Sequence, residues 1–319
     1  MSFTSTVKNE VSKLEGQEIE NISELSAIIR NIGSIKNNTI KITTENASVA
    51  RRIFRLIKDI YGIRPKITVR KGYNFNKSYL YVLEVTSKIK YILEDLSILV
   101  DSMYMDVPQD YIIGDEGQLR AYLRGIFLSS GSINDPKTAR YHLELIVDNN
   151  EYAKFISKLC NNYNLNSKFL KRDSRYMIYL KEAEKISDFL RIIDASNAVL
   201  YYEDIRIYRD TKNMTNRLNN CDQANIDKII MTGNSQVEDI KIIEEIASFD
   251  LLDDKIKEVA IYRKKYPEAS LLELSEIISF ETNTKITKSG VNHRMKKIKE
   301  LANKIRAKEH IEIIEIEEN

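Results

Sequence analysis

Apolar positions along this chain repeat at two periods, and the longest runs form a phrase that occurs twice. Leu25-Ser-Ala-Ile-Ile-Arg-Asn-Ile-Gly33-Ser-Ile returns 98 residues later as Leu123-Arg-Gly-Ile-Phe-Leu-Ser-Ser-Gly131-Ser-Ile. Each copy predicts a buried helix ended by a glycine in the left-handed conformation. Each is followed by a strand, an amphipathic helix, two strands and a closing helix. In the first copy these fall at Thr39–Thr44, Ala47–Tyr61, Lys66–Lys71 with Ser78–Val85, and Lys88–Val100. In the second they fall at Arg140–Val147, Asn150–Tyr163, Lys168–Lys171 with Arg175–Lys181, and Ala183–Ile193. Ser23 is placed as a helix N-cap, and Phe3, Val7 and Val11 mark a short helix within residues 2–14.

A repeat of this length reads as a tandem duplication. Small residues inside the phrase, Ser26 and Ala27 in one copy and Gly125 in the other, let two helices approach closely about a pseudo-twofold axis. Residues 20–195 resemble the LAGLIDADG homing-endonuclease fold, in which two such helices form the core and two curved sheets straddle a DNA duplex. The resemblance implies one metal-binding acid just before each closing glycine. Ile32 and Ser130 stand there instead, and neither offers the anionic oxygen that a magnesium site needs. Asp115, Glu116 and Asp135 are nearby acids, but none occupies matching places in both copies. The chain is therefore expected not to be an enzyme and to hold no metal and no cofactor.

Total charge says little, since 49 Lys and Arg face 47 Asp and Glu. Locally the first repeat is basic: Arg51, Arg52, Arg55, Lys58, Arg64, Lys66, Arg70, Lys71 and Lys77 stand against the single acid Asp59. Lys66, Thr68 and Arg70 alternate with Ile67 and Val69, so a sheet face carrying Lys66 and Arg70, with Lys71 beside them, is a candidate DNA contact. An ordinary half-exposed sheet in a lysine-rich chain reads equally well. The comparable strand of the second repeat offers His142 and Glu144, which makes the expected saddle lopsided. Cys160 and Cys221 have no metal-ligand spacing, and His142, His293 and His310 are scattered. No apolar run is long enough for a membrane span, so a cytoplasmic protein with no membrane partner is expected, one that DNA contact would associate with the nucleoid.

After Ser196 the pattern turns helical. Residues 196–250 read as a helical linker containing the polar phrase Asn-Arg-Leu-Asn-Asn-Cys221-Asp-Gln-Ala-Asn225. Three further helices are predicted at Asp254–Tyr266, Ser270–Ser279 and from about Ser289 onward. On the last, Val291, Met295, Ile298 and Leu301 face inward, while Asn292, His293, Arg294, Lys296, Lys297 and Lys299 face outward. Between Lys285 and Lys308 nine basic residues meet one acid, Glu300. This is the layout of a helix-turn-helix, with Ser289 at the helix N-terminus suited to a phosphate. A small bundle with a merely cationic face is the plainer alternative. His293 lacks a carboxylate to orient it, so a phosphate or base contact suits it better than catalysis.

The polar phrase between a degenerate LAGLIDADG-like domain and a C-terminal DNA-binding domain resembles the WhiA regulator family, over nearly the whole chain. The resemblance implies an α+β, tandem-repeat N-terminal domain (21–195, as 21–100 and 117–195) after a lead-in helix (1–20). An all-α helix-turn-helix domain (251–308) and an acidic tail (309–319), disordered or folded back, complete the expected order. It further implies double-stranded DNA as partner and a role in transcription control, cell division and chromosome segregation, with sporulation in relatives. A residual metal-dependent endonuclease, or a scaffold holding a protein partner through the N-terminal domain, are the alternatives.

Overall fold

The computed structural model describes residues 2–71, 79–246 and 252–317, with side chains described through residue 307. Lys77, Ser78, residues 247–250 and the last two positions lie outside the described residues. The chain divides into two compact units, Met1–Asp210 and Thr211–Asn319.

The first unit is built twice. After α1 (Phe3–Val11), the first repeat runs α2 (Glu18–Ile32), β1 (Gly33–Lys36), β2 (Thr39–Thr44), α3 (Ala47–Tyr61), β3 (Lys66–Lys71), β4 (Tyr79–Val85) and α4 (Ile89–Asp95). A two-stranded ribbon, β5 (Leu99–Val100) with β6 (Met103–Tyr104), leads on to the second repeat. That repeat runs α5 (Glu116–Ser130), β7 (Ser132–Ile133), β8 (Leu143–Val147), α6 (Asn150–Asn162), β9 (Lys168–Arg172), β10 (Arg175–Leu180) and α7 (Ala183–Ile192). The sheets have matching antiparallel orders, β1-β2-β4-β3 and β7-β8-β10-β9. The Gly-Ser-Ile endings run straight into the first strands of their sheets: Gly33 opens β1, and Ser132 and Ile133 form β7.

Between the sheets α2 packs on α5, burying Leu25, Ile28 and Ile29 against Leu123, Ile126 and Phe127. A polar clasp closes the C-terminal end of the pair: Asn31 Nδ2 donates to Ser129 Oγ at 2.8 Å and to Ser130 Oγ at 2.9 Å. The closing glycines are not left-handed as expected. Gly33 (φ −79°) and Gly131 (φ −67°) are extended, because Gly33 already starts β1 and Gly131 leads directly into β7. What requires glycine there is space, since a Cβ would fall 2.4 Å from Ile29 O in the first copy and 2.3 Å from Phe127 Cδ2 in the second.

Two further expectations need correction. Ser23 does not cap α2; Gln17 does, and Ser23 is buried one turn inside, its hydroxyl 2.6 Å from Ile112 O. The closing helix α4 stops at Asp95 rather than Val100, because Ser97 takes a left-handed φ of 55° and turns the chain into β5.

α8 (Ser196–Ile246) follows. In the second unit α9 (Asp254–Lys265), α10 (Leu271–Thr282) and α11 (Lys288–Glu317) share a core with the end of α8. That core contains Ile240, Ile243, Val259, Leu274, Ile278, Val291, Met295 and Ile298. Arg263, apolar-spaced in the sequence, is buried here, and its guanidinium donates to Ala269 O at 2.6 Å and to Tyr266 O and Pro267 O, holding the turn after α9. Of the acidic tail, residues 309–317 continue the backbone of α11.

Candidate nucleic-acid interface

The entry into α11 is held by a series of polar residues along α10 and the turn after it. Ser270 and Glu273 form a reciprocal cap at the start of α10, and Asn283 ends that helix in the left-handed conformation (φ 53°). The Ser270 backbone and hydroxyl hold the Glu273 carboxylate below its ordinary pKa. Ser279 Oγ donates to Ile286 O (3.2 Å) and accepts from Ile286 N (3.1 Å), pinning the turn to α10. Thr287 Oγ1 then accepts from Gly290 N at 3.2 Å, capping α11.

From that fixed start, burial of Val291, Met295 and Ile298 turns the rest of the helix outward. Ser289, Asn292, His293, Lys296, Lys297 and Lys299 are all exposed. Ser289, Asn292, Lys296 and Lys299 follow one another at helical spacing on one stripe, with His293 and Lys297 alongside. Arg294 differs. It flanks the packed face, its side chain is 22% exposed, and Nη1 lies 3.5 Å from Glu258 Oε2 on α9. The structure brings six of the seven expected residues together on open surface and gives the seventh an acidic partner within the unit.

The first sheet presents a second basic surface. Register places Lys66 opposite Glu84, Thr68 opposite Val82, and Arg70 opposite Leu80, with Lys41 opposite Glu84 on the other side. Ile40, Ile42, Leu83 and Val85 lie on the opposite face and are buried, while on the edge strand β3 the residues of that face, Ile67 and Val69, are exposed. Lys66 and Arg70 therefore share the open face with Lys41 on β2 and Lys36 on β1, which sequence reading missed because neither strand was paired with β3 and β4 until the sheet order was known. Lys71 pairs with Tyr79 and belongs to the other face, so it does not join Lys66 and Arg70. Arg52 also leaves the surface charge: it is buried and paired with Glu24.

The matching face of the second sheet is less basic toward its centre. His142 Nε2 lies 3.4 Å from Glu144 Oε2, and the His142 ring stacks on Tyr179 with centroids 6.1 Å apart. Lys181 Nζ sits 4.8 Å from the Tyr179 ring centroid, while Ile146 and Met177 share that face by register.

At the ends of the central helices, Ile32 is half-buried, and Ser130 Oγ is taken up by Asn31 Nδ2 and by Ile146 N at 3.1 Å. The three acids considered as substitutes are elsewhere. Asp115 caps the opposite end of α5, Glu116 is in that first turn, and Asp135 Oδ1 accepts from Lys137 N in a surface turn. Among the described residues no group of three His, Cys, Asp or Glu side chains is placed to hold a metal ion.

One buried polar cluster was not read from the sequence. Glu24, fully buried on α2, accepts from Arg52 Nε at 2.7 Å and from Arg124 Nε at 2.8 Å. Arg124 Nη1 reaches Asp194 Oδ2 at 3.2 Å, and Arg120 pairs with the same carboxylate. The signal was present as charged residues inside apolar helical runs, at Glu24 beside Leu25 and Arg124 beside Leu123.

Comparison with known proteins agrees with this architecture. Residues 18–99 match the WhiA N-terminal LAGLIDADG-like domain, residues 119–212 the WhiA LAGLIDADG-like domain, and residues 215–302 the WhiA C-terminal HTH domain. The crystal structure of full-length DUF199/WhiA from Thermatoga maritima shares the fold, with a TM-score of 0.59 at 23% identity over 95% of this chain and 99% of that one. The "Probable cell division protein WhiA" of Staphylococcus aureus (strain USA300) is 43% identical over 317 residues, 98% of this chain and 100% of its own length. The chain belongs to the WhiA family.

Proposed function

We propose that this protein is a sequence-specific DNA-binding regulator acting in cell division and chromosome segregation, without nuclease activity. The observation that carries the reading is the exposed stripe of Ser289, Asn292, Lys296 and Lys299, with His293 and Lys297 beside it, directly after a capped turn. Asn292 suits a bidentate contact to adenine, the lysines suit phosphates, and Ser289 sits where a helix N-terminus favours an anion. The open face bearing Lys66 and Arg70 adds sequence-independent attraction to the backbone. Ile32 and Ser130 supply no metal-binding carboxylate, which supports binding without cleavage. The cell-division setting rests on the names of relatives.

The test is a fluorescence-anisotropy titration of genomic DNA fragments across a salt series, using the intact protein, N292A/K297A and K66A/R70A. Loss of sequence preference in N292A/K297A alone supports recognition by α11. Loss confined to K66A/R70A would move recognition to the sheet. Magnesium-dependent nicking of plasmid DNA, abolished by EDTA, would overturn the non-catalytic reading.

A further inference from the structure

Beyond DNA binding, we propose that the first unit carries a binding site for a small phosphorylated molecule, in a pocket between the end of α1 and the first turns of α3. The pocket has a volume of about 350 Å³ and is lined by Ser12, Lys13, Ser48, Arg51, Arg52 and Arg55. Its lining holds four cations and no carboxylate. Two of the cations have structural partners: Arg55 donates to Ser12 O at 3.0 Å, and Arg52 to Leu14 O and Glu24. Arg51 holds Ser48 Oγ at 3.1 Å within its own helix, and neither it nor Lys13 has an acidic partner among the described residues.

The wall behind the pocket is also short of negative charge. Arg52, Arg124 and Arg120 share only Glu24 and Asp194, three guanidiniums against two carboxylates, and Arg52 is the member that reaches the pocket. A dianion on the open side relieves both the surface repulsion and this buried excess. A phosphate monoester carries between one and a half and two negative charges at neutral pH and presents several acceptor oxygens, which guanidinium forks and the Ser48 hydroxyl match better than a single carboxylate would.

A neighbouring cavity of about 550 Å³ shares Lys13 and is lined by Asn9, Glu10, Asp194 and Ser196 among others. Hydroxyl groups of a sugar or nucleoside suit these acceptors, so the pair of cavities fits a mononucleotide or sugar phosphate with its phosphate at Arg51. The site is separate from the candidate DNA surface, because α3 packs on the buried face of the sheet whose other face carries Lys66 and Arg70.

The experiment is calorimetric titration of the intact protein with pyrophosphate and with AMP, at ionic strength held constant with chloride, repeated on K13A/R51A and on R51E. Saturable one-site binding by the unaltered protein is expected, weakened about tenfold or more in both variants. Their unliganded melting temperatures and DNA affinities should stay unchanged. No binding of either probe, or equal binding by the variants, would overturn the proposal. So would DNA affinity falling in K13A/R51A in step with probe binding, since the cluster would then be a duplex contact.

Discussion

Gly125 and Ala27, equivalent positions in the two repeats, face each other across the central helix pair. A Cβ on Gly125 would lie 2.8 Å from the Ala27 Cβ and 2.4 Å from Glu24 O, a backbone atom that cannot swing aside. Gly125→Ala is therefore expected to destabilise the first unit by about 1–3 kcal/mol. Thermal unfolding of the intact protein checks this, and an unchanged melting temperature would mean the helix pair has slack that the structure does not show.

Glu24 supports two guanidiniums with one buried carboxylate. Glu24→Gln removes the charge that Arg52 and Arg124 share while keeping the shape, and should cost about 3–5 kcal/mol. Urea unfolding followed by far-UV circular dichroism is the measurement. A loss below about 1 kcal/mol, the range of exposed pairs, would show that water reaches the cluster.

Lys8 lies 5.8 Å from the Phe127 ring centroid, and burial lowers its pKa from 10.5 to about 8. The folded protein thus gives up this proton near pH 8, while the unfolded chain keeps it until about 10.5. Between those values the unfolded state holds more protons, so this residue's contribution makes stability rise with pH. Subtracting the Lys8→Met profile from the wild-type profile should leave that rise between pH 8 and 10. A flat difference would place the Lys8 ammonium in water.

Much of this was legible in the sequence because burial writes itself as periodicity. Val291, Met295 and Ile298 give α11 its face at once, and the Gly-Ser-Ile endings disclose the duplication. Less visible was anything decided by a partner far along the chain. Arg52 looked like surface charge because its carboxylate lies 28 positions earlier. Arg294 looked like its neighbours until Glu258 appeared across from it. The closing glycines were misread because a left-handed helix end and a crowded extended one ask for the same residue.

On α11, the separate jobs of neighbouring residues should separate in binding data. Lys297→Ala should weaken all sequences alike and reduce the salt slope by about one. Asn292→Ala should cost about 1–3 kcal/mol on the preferred site and little elsewhere. Arg294→Ala, because of Glu258, should lower the melting temperature as well as DNA affinity. If its effect is confined to binding, the ion pair opens when DNA arrives.

The acidic stretch after the basic helix offers a last test. Removing Glu309–Asn319 takes away negative charge continuous with α11, so DNA affinity at low salt should rise and the gain should fade as salt screens it. Equal affinity at every salt concentration would show that the tail does not influence the interface.

The Glu24–Arg124 pair also says something about history. Counting back by the repeat, Arg124 corresponds to Ser26 and Glu24 to Tyr122. A dimer of two first halves would bury Glu24 with no second arginine, and a dimer of two second halves would bury Arg124 with no carboxylate at that place. The halves have drifted into complementary specialists. Neither can any longer stand in for the other, and the fusion that joined them has become irreversible at the level of a single ion pair.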